Sequence, residues 1–230
     1  MIKNITNKIY KNYMWSVFII NNIKPLFSYK KFSYSDFNED LLISEILGSN
    51  IGSYVDIGAG HPIIGSNTYY FYKQGWQGIT VEPIRFHSLL HRIARKRDTN
   101  IHKLIGEDNV IKKFYEFNPT QYSTNSEEQY KIMVNKGMQE RRTYYLDSIS
   151  VNQVLMLVDV DTYFLSIDCE GYDATILKSI DWSLINKPKV IVFEKINNKQ
   201  EFNEVETILS RNNYFRIHTT ANNFIYSLQV

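Results

Sequence analysis

The 230-residue chain has a single cysteine, Cys169, and no long run of apolar residues. One cysteine cannot close an internal disulfide, so a disulfide-stabilised scaffold is excluded and nothing indicates an oxidising compartment. The apolar run from Met14 to Ile20 is far shorter than the ~20 residues that a membrane-spanning helix needs. No small-residue cleavage site follows this run, so we expect neither a signal peptide nor a membrane span, and we predict a cytoplasmic protein.

Acidic residues are absent from the start of the chain, where the first is Asp36 and six lysines precede it. We therefore treat residues 1–35 as a basic, helical lead and residues 36–230 as the domain. The lead is expected to pack on the edge of the domain, and peripheral contact with an anionic membrane surface is the alternative. The whole chain carries a formal charge of only +2, which is too balanced to indicate nucleic acid as a partner.

Short apolar runs alternate with amphipathic stretches from residue 51 onward. This alternation predicts an α/β fold with a mostly parallel sheet and helices on both faces. The predicted strands are residues 53–58, 78–83, 100–106, 163–168 and 189–196. The predicted helices are residues 66–76, 84–97, a stretch from Asp147, 173–180 and 200–212. "YFRIH" and "NFIYSL" are expected to close the chain as an antiparallel hairpin around "TTANN".

The stretch from residue 107 to residue 142 is polar and rich in Tyr, Asn and Glu. We expect a short hairpin around "KKFYEFN" and a mobile loop around "PTQYSTNSEEQYK". An insertion of this kind is a common position for a substrate lid.

Two motifs indicate a cofactor that contains a nucleoside. The first predicted strand ends in "VDIGAG", where Gly58 and Gly60 allow the backbone to turn tightly beside a ligand. Glu82 ends the second strand, and an acid there can accept hydrogen bonds from both hydroxyls of a ribose. Asp56 could hold the loop or meet the cofactor's amino group. Several nearby carboxylates favour a cationic sulfonium over a pyrophosphate, and a turn that binds no ligand is the alternative.

Four stretches, "YVDIGAG", "GITVEP", "TYYLDSI" and "FLSIDCEGYDATILKSIDW", resemble the successive motifs of FkbM-type S-adenosylmethionine-dependent methyltransferases. "FSYSDFNEDLLI" resembles the family's lead-in more loosely, so the likeness runs over residues 33–196. The resemblance implies a Rossmann-like class I methyltransferase fold, S-adenosylmethionine as the cofactor, and transfer to a hydroxyl of a sugar, glycan or glycolipid. It also implies that Asp56, Gly58, Gly60 and Glu82 contact the cofactor.

The chain departs from the family pattern in its glycine loop, where "GHPIIGSN" delays the next glycine to Gly65. His61 and Pro62 could therefore face the acceptor. Residues 107–142 match the family only faintly, so the resemblance does not identify the acceptor.

Three acids follow the last two parallel strands that are predicted. Asp168 and Glu194 stand at strand ends, and Glu170 lies two residues beyond Asp168. Because ligands bind at the carboxyl ends of parallel strands, we predict that these acids meet in one crevice. A hydroxyl needs a base before it attacks, so Asp168, Glu170, Glu194 and His61 are the candidate catalytic residues. The alternative is a Mg²⁺ ion held by Asp168 and Glu194 with a water or Asp173, and paired acids without a metal are the simpler hypothesis.

The remaining predictions concern single side chains. The candidate cofactor-binding residues are Asp56, Gly58, Ala59, Gly60, Glu82, Glu107 and Asp168. Cys169 lies between two acids, which raise the pKa of a thiol, so we predict a small buried residue rather than a nucleophile. Asp173 is predicted to stand in solvent as the cap of the following helix. The residues predicted to form a solvated helix face are His87, His91, Arg92, Arg95, Lys96 and Arg97, and contact with an acidic acceptor or a membrane surface is the alternative.

Two other functions stay open from the sequence alone. One is an oxidoreductase with an NAD-type nucleotide cofactor, although neither a pyrophosphate loop nor a hydride-transfer arrangement is convincing. The other is a catalytically inactive methyltransferase fold that binds a partner, and the clustered acids argue against it. The sequence does not define the oligomeric state.

Overall fold

Short strands that are buried along almost their whole length form the centre of the fold. In the computed structural model, which describes residues 19–28, 31–160 and 163–229, the segments Tyr163–Ile167 and Val190–Glu194 are the clearest cases. An unbroken apolar run is typical of a parallel sheet that is covered on both faces. None of the described helices is long and apolar enough to cross a membrane.

The described residues form ten strands and seven α-helices of five residues or more. The strands are β1 (Ser53–Ile57), β2 (Gln77–Val81), β3 (Thr99–Ile101), β4 (Leu104–Ile105), β5 (Ile111–Asn118), β6 (Gln139–Ile149), β7 (Tyr163–Ile167), β8 (Val190–Glu194), β9 (Tyr214–Thr219) and β10 (Asn223–Leu228). The helices are α1 (Glu39–Leu47), α2 (Tyr69–Lys73), α3 (Arg85–Ala94), α4 (Glu127–Asn135), α5 (Val151–Leu155), α6 (Asp173–Ser179) and α7 (Lys199–Arg211). The predicted lead helix falls mainly on residues 1–18, which lie outside the described residues, and the division after residue 35 stays a prediction.

The main sheet has the strand order β3-β2-β1-β7-β8-β10-β9. β1 pairs in parallel with β2 and β7, β7 pairs in parallel with β8, and β10 is antiparallel to both of its neighbours. The strand order reverses between β1 and β7, which is where open α/β sheets bind their ligands. The predicted α/β fold, mostly parallel with a C-terminal antiparallel hairpin, is confirmed.

Helices cover both faces of this sheet. Neighbouring side chains of β1 and β7 point to opposite faces and so enter different apolar clusters. Val55 and Leu165 pack in a cluster with α5, α6 and α7. Tyr54 and Phe164 pack in a second cluster with α1 and α2. The carboxyl ends of β1 and β7 are thereby fixed between two packed layers.

The segment between β3 and β7 differs from its prediction. The strand expected over residues 100–106 divides into β3 and β4, and β4 leaves the main sheet to pair with β6. The hairpin is longer than expected, because β5 pairs with β6 from Ile111 opposite Asp147 to Asn118 opposite Gln139. Asp147 therefore lies in a strand and does not begin a helix.

Two helices begin at caps in this region. Ser150 accepts a hydrogen bond from Gln153 N, so α5 starts at Val151. Ser126 accepts from Gln129 N in the same way, so α4 occupies part of the stretch that was expected to be a loop. A serine that precedes a helical stretch in this way satisfies a free amide of the first turn.

Helix α3 carries a polar inner face, and the predicted solvated face is wrong for three of its residues. His87, His91 and Arg95 are buried. They pack under the loop that joins β1 to α2, whose carbonyl groups need hydrogen-bond donors. The ring Nε2 of His91, for example, lies 3.2 Å from the carbonyl oxygen of Gly60.

The Arg95 guanidinium holds this loop at three points. Its side chain has 0% relative exposure. It donates to the carbonyl oxygen of Pro62 at 2.8 Å, to Ser66 Oγ at 2.6 Å and to Thr68 Oγ1 at 2.7 Å. Thr68 extends this hydrogen-bond network to Asp56, because its hydroxyl donates to Asp56 Oδ2 at 2.5 Å. One cation therefore connects the loop to the end of β1.

Asp98 supplies the counter-charge. Its Oδ2 lies 3.6 Å from Arg95 Nη1, and the carboxylate also accepts from the Tyr54 hydroxyl and from Gly78 N. A buried ion pair is tolerated only where hydrogen bonds satisfy the remaining polar atoms, and the bonds to Tyr54 and Gly78 do so here.

Replacing Arg95 is expected to loosen the loop and destabilise the fold. Arg95→Met leaves Asp98 buried without its cation, so the free energy of unfolding should fall by about 3–5 kcal/mol. Arg95→Lys keeps the charge but cannot bond three acceptors in the same fork, so its effect should be intermediate. Urea denaturation measures both, with Arg92→Lys on the exposed side of the same helix as the matched control. An Arg95→Met variant as stable as the control would contradict the role of Arg95 in holding the loop.

Candidate active site

A cavity of about 390 Å³ opens above the carboxyl ends of β1, β2 and β7. The glycine loop and the end of β2 form one wall, and the turn after β7 forms another. The segment between β5 and α4 forms its cover. Lining residues that were predicted from the sequence are Gly58, Gly60, His61, Glu82, Asp168, Cys169 and Glu170. The topology therefore brings both predicted halves of the site to one space.

Gly58 makes the close approach of β1 and β7 possible. Its φ of 74° lies in the left-handed region, and a Cβ at this position would stand 1.8 Å from the carbonyl oxygen of Asp168. The amides of Gly58 and Ala59 both donate to the Val81 carbonyl, at 2.9 and 3.2 Å. The loop is thereby tied to β2 on one side and touches β7 on the other.

Glu82 is a buried acid with 2% relative exposure. Its carboxylate accepts from Gly60 N at 2.7 Å and from Ile84 N at 2.6 Å, so it joins the glycine loop to the start of α3. Burial raises the pKa of Glu82 to about 8, against the opposing effect of these two hydrogen bonds. Each carboxylate oxygen has two lone pairs, so Glu82 can still accept from hydroxyls in the cavity.

An apolar compartment lies beside Glu82. It is formed by Val81, Ile84, Leu104 and Phe114, all of which line the cavity. A flat aromatic base is stabilised by such walls, and its ribose would then lie near the Glu82 carboxylate. The residues present thus fit the nucleoside part of S-adenosylmethionine.

Asp56 lies behind the glycine loop and is not one of the residues that line the cavity. It is buried and accepts from Thr68, as described above. Burial raises its pKa, and the charge of Arg95 opposes that rise. This placement matches a loop-holding role, and a direct contact with the cofactor stays a prediction.

His61 has both ring nitrogens engaged. Nδ1 accepts from the amides of Ile63 and Ile64 at 3.1 Å, which leaves the proton on Nε2. Nε2 then donates to the carbonyl oxygen of Asn22 at 3.0 Å, and burial lowers the pKa of the ring. His61 would have to leave Asn22 before it could accept a proton, so its catalytic role stays a prediction.

Asp168 and Glu170 face the cavity together. Asp168 is exposed to the cavity but is otherwise enclosed by protein, and this burial, with the charges of Asp173 and Glu194, raises its pKa to about 8. Burial, followed by the charges of Asp168, Glu194 and Asp173, raises the pKa of Glu170 to about 9. Like charges held close together disfavour the ionised forms, so these groups can exchange protons near neutral pH.

The backbone of Glu170 is strained. Its φ is 50°, in the left-handed region that residues other than glycine rarely adopt, and Gly171 follows with a φ of 90°. A non-glycine residue in this region costs about 1–2 kcal/mol, and such strain is concentrated at functional sites. The turn places the Glu170 carboxyl against the cavity at this cost.

Asp173 is buried at 2% relative exposure, so the prediction of a solvent-exposed helix cap is wrong. Its carboxylate accepts from Cys169 N at 3.2 Å and from Glu194 N at 3.3 Å. It therefore ties the end of β7 to the end of β8, and burial with the charge of Glu194 raises its pKa to about 7. Cys169 is half-buried, and burial raises its thiol pKa well above the usual value, as expected for a thiol that is not activated.

Glu194 and Glu107, like Asp56, are predicted site acids that do not line the cavity. Burial raises the pKa of Glu194, and a hydrogen bond from Gly171 N opposes that rise. Glu107 has a side chain that is 79% exposed and pairs with Lys112 at 3.4 Å. Its predicted contact with the cofactor is therefore not supported by its position.

The acids do not form a cation site. Among the described residues, no group of three or more His, Cys, Asp or Glu side chains could hold a metal ion. Asp168 faces the cavity whereas Glu194 does not, so the pair does not present its oxygens to a common point there. The donor set does not fit the Mg²⁺ alternative.

The sequence predicts a substrate lid in the segment around "PTQYSTNSEEQYK", but it did not identify the residues of that segment that line the cavity. The polar residues that line it from the segment after β5 are Thr120, Gln121, Ser123, Thr124 and Asn125. A run of small hydroxyl and amide side chains inside "PTQYSTNS" was the available signal, but only the hairpin pairing brings that run over the glycine loop.

Comparison with solved structures finds remote likenesses to several methyltransferases. An S-adenosylmethionine-dependent O-methyltransferase from Thermotoga maritima has a TM-score of 0.46 at 10% identity, covering 90% of this chain and 71% of the other. An O-methyltransferase from Bacillus cereus, solved with S-adenosylhomocysteine, has a TM-score of 0.43 at 12% identity, covering 83% and 79%. A TehB-like methyltransferase from Corynebacterium glutamicum has a TM-score of 0.44 at 10% identity, covering 95% and 97%. Likenesses this remote do not identify an activity.

Sequence comparison is more decisive. No protein with a curated description matches the chain. Residues 56–216, from the end of β1 into β9, match the model of the methyltransferase FkbM domain. That span includes the glycine loop, Glu82 and the acids after β7, and it covers well over half of the chain. The chain therefore belongs to the FkbM family of S-adenosylmethionine-dependent methyltransferases.

Proposed function

We propose that the protein transfers the methyl group of S-adenosylmethionine to a hydroxyl oxygen of a sugar, glycan or glycolipid. The observation that carries this proposal is the single cavity with two unlike walls. One wall has the glycine loop, Glu82 and an apolar compartment. The other has Asp168 and Glu170, two acids with raised pKa values.

The first wall supplies the groups that would hold the cofactor. Gly58 and Gly60 let the backbone come close to it, Glu82 would accept from its ribose, and Ile84 and Phe114 would enclose its base. When bound, S-adenosylmethionine supplies an electrophilic methyl group on a positively charged sulfur. Carboxylates nearby favour that charge, whereas they would repel the pyrophosphate of an NAD-type cofactor, so the oxidoreductase alternative has no support from the cavity.

The cover of the cavity supports a polyhydroxylated acceptor. Thr120, Ser123 and Thr124 carry hydroxyls and Gln121 and Asn125 carry amides, so the cover both donates and accepts hydrogen bonds. Sugar hydroxyls need such mixed partners, since each donates one bond and accepts others. An acceptor with a single aromatic hydroxyl would leave many of these groups unsatisfied.

The acids on the second wall would take the acceptor's proton. As the acceptor oxygen bonds to the methyl carbon, the carbon–sulfur bond breaks and the hydroxyl proton passes to the carboxylate of Asp168 or Glu170. The carboxyl later returns that proton to solvent. A base with a pKa close to working pH is effective in such a transfer, and ordinary carboxylates, with a pKa near 4, are weaker bases than these.

Incubation with labelled S-adenosylmethionine and a panel of sugar nucleotides, oligosaccharides and glycolipids tests the proposal. We expect the label to appear on an acceptor oxygen, as located by mass spectrometry of the product. Glu82→Gln should weaken cofactor binding in calorimetry, because a neutral amide accepts less strongly from hydroxyls. Glu45→Gln, on the exposed side of α1, is the matched control. Binding of NAD in place of S-adenosylmethionine would overturn the proposal.

The pH dependence of kcat/KM should reveal the base. Because the base must be deprotonated, activity should rise with pH through an apparent pKa between about 8 and 9. Of Asp168→Asn and Glu170→Gln, the variant that removes the base should lose about 100-fold or more in rate, together with the rising limb. The other variant should keep the rise of kcat/KM with pH but shift it to lower pH, because the pKa of the remaining acid falls when its like-charged neighbour is removed. A profile that neither substitution alters would contradict the role of both acids.

Methyl transfer is expected to survive exhaustive chelation, because the described acids do not converge on a cation site. The measurement compares initial rates before and after treatment with EDTA, followed by addition of Mg²⁺. Activity that is lost after treatment with EDTA and restored by Mg²⁺ would support the metal hypothesis instead.

A further inference from the structure

Helix α3 departs from the usual distribution of polar and apolar side chains. Beside Leu90, its buried residues are the polar His87, Ser88 and His91. Leu89 and Ile93, one turn apart, are 52% and 48% exposed. A surface helix normally turns such aliphatic side chains toward the core. Hydrogen bonds to the loop between β1 and α2 explain why polar side chains of α3 are buried. They do not explain why Leu89 and Ile93 are exposed.

The exposed side of α3 also concentrates positive charge. At about 100° per residue, Arg85, Leu89, Arg92 and Ile93 fall in one stripe about 100° wide. All four are exposed, and no Asp or Glu occurs between residues 83 and 97. We call this set the α3 stripe. It combines two aliphatic side chains with two cations and carries no compensating acid of its own. Lys96, also exposed, follows the end of the helix.

The positive field of the α3 stripe reaches the edge of the cavity. The charges of Arg92 and Arg85 both act on His102 and lower its pKa, after the larger effect of burial. His102 in turn lies 3.1 Å, through Nε2, from the carbonyl oxygen of Pro83, which lines the cavity, as does Lys103. The stripe therefore borders the cavity.

Only some partners match both parts of the stripe. A nucleic acid backbone would pair with the cations but would gain little from Leu89 and Ile93. An apolar protein surface would cover those two side chains and bury the cations without partners. An anionic lipid surface satisfies both, because aliphatic side chains enter the headgroup region while arginine and lysine contact phosphate groups.

We propose that the α3 stripe is a docking surface for membranes that contain anionic phospholipids. Contact would be peripheral and reversible, since two aliphatic side chains and two cations provide only weak attachment. The consequence is that the cavity is held beside the lipid headgroups. The proposal is independent of the proposed activity, because vesicle binding requires neither cofactor nor acceptor.

Co-sedimentation of the full chain with vesicles tests this proposal. One set of vesicles is pure phosphatidylcholine, and the other contains about one third phosphatidylglycerol. We expect binding to the anionic vesicles only, weakened by added salt because exposed charges are screened. The double substitution Arg85→Gln with Arg92→Gln should lower the partition coefficient by about tenfold or more. Leu89→Gln with Ile93→Gln should lower it several-fold at unchanged salt dependence.

Matched controls separate the stripe from surface composition in general. Met156→Gln with Leu157→Gln removes two apolar side chains that are 54% and 57% exposed elsewhere, and it should leave binding unchanged. Circular dichroism checks that every variant is folded. Equal binding to neutral and anionic vesicles would overturn the proposal. Binding to anionic vesicles that the stripe variants do not reduce would also overturn the proposal, and it would assign membrane contact to the basic lead. A dimer in solution that the Leu89 and Ile93 variant abolishes would overturn the proposal as well.

Discussion

The geometry of the candidate site depends on one buried cation. The Arg95 guanidinium lies under the loop between β1 and α2, bonds three of its oxygen atoms, and is neutralised by Asp98. Because this support comes from α3, the inner side of that helix must be polar. The same requirement leaves Leu89 and Ile93 outside. The packing of Arg95 under the loop between β1 and α2 thus determines which side chains α3 exposes on its opposite side.

The acceptor side is built on a different principle. There, burial and the charges of neighbouring acids raise the pKa values of Asp168 and Glu170, and the backbone carries strain at Glu170. Asp173 accepts hydrogen bonds from two backbone amides and so fixes the ends of β7 and β8. A positively charged ligand beside these acids would favour their ionised forms.

The sequence predicted the sheet well, because β1, β2, β7 and β8 are short, mostly apolar runs. It also predicted that Asp168, Glu170 and Glu194 meet in one crevice, since strand ends meet by topology, and the first two line the cavity. It failed on α3, where basic residues and histidines indicate solvent unless the loop above them is known. Arg95 could not be recognised, because its partners Pro62, Ser66 and Thr68 are 27 to 33 residues away in sequence. A lid was expected in the segment after β5, but its lining residues could not be identified, since β5 and β6 pair across about twenty residues of unrelated pattern.

The left-handed backbone at Glu170 has a consequence for substitution. Glycine or asparagine would adopt that conformation at lower cost, so a substitution that removes the carboxyl group at this position is expected to stabilise the fold. Stability and the presence of an acid are therefore opposed at this one position.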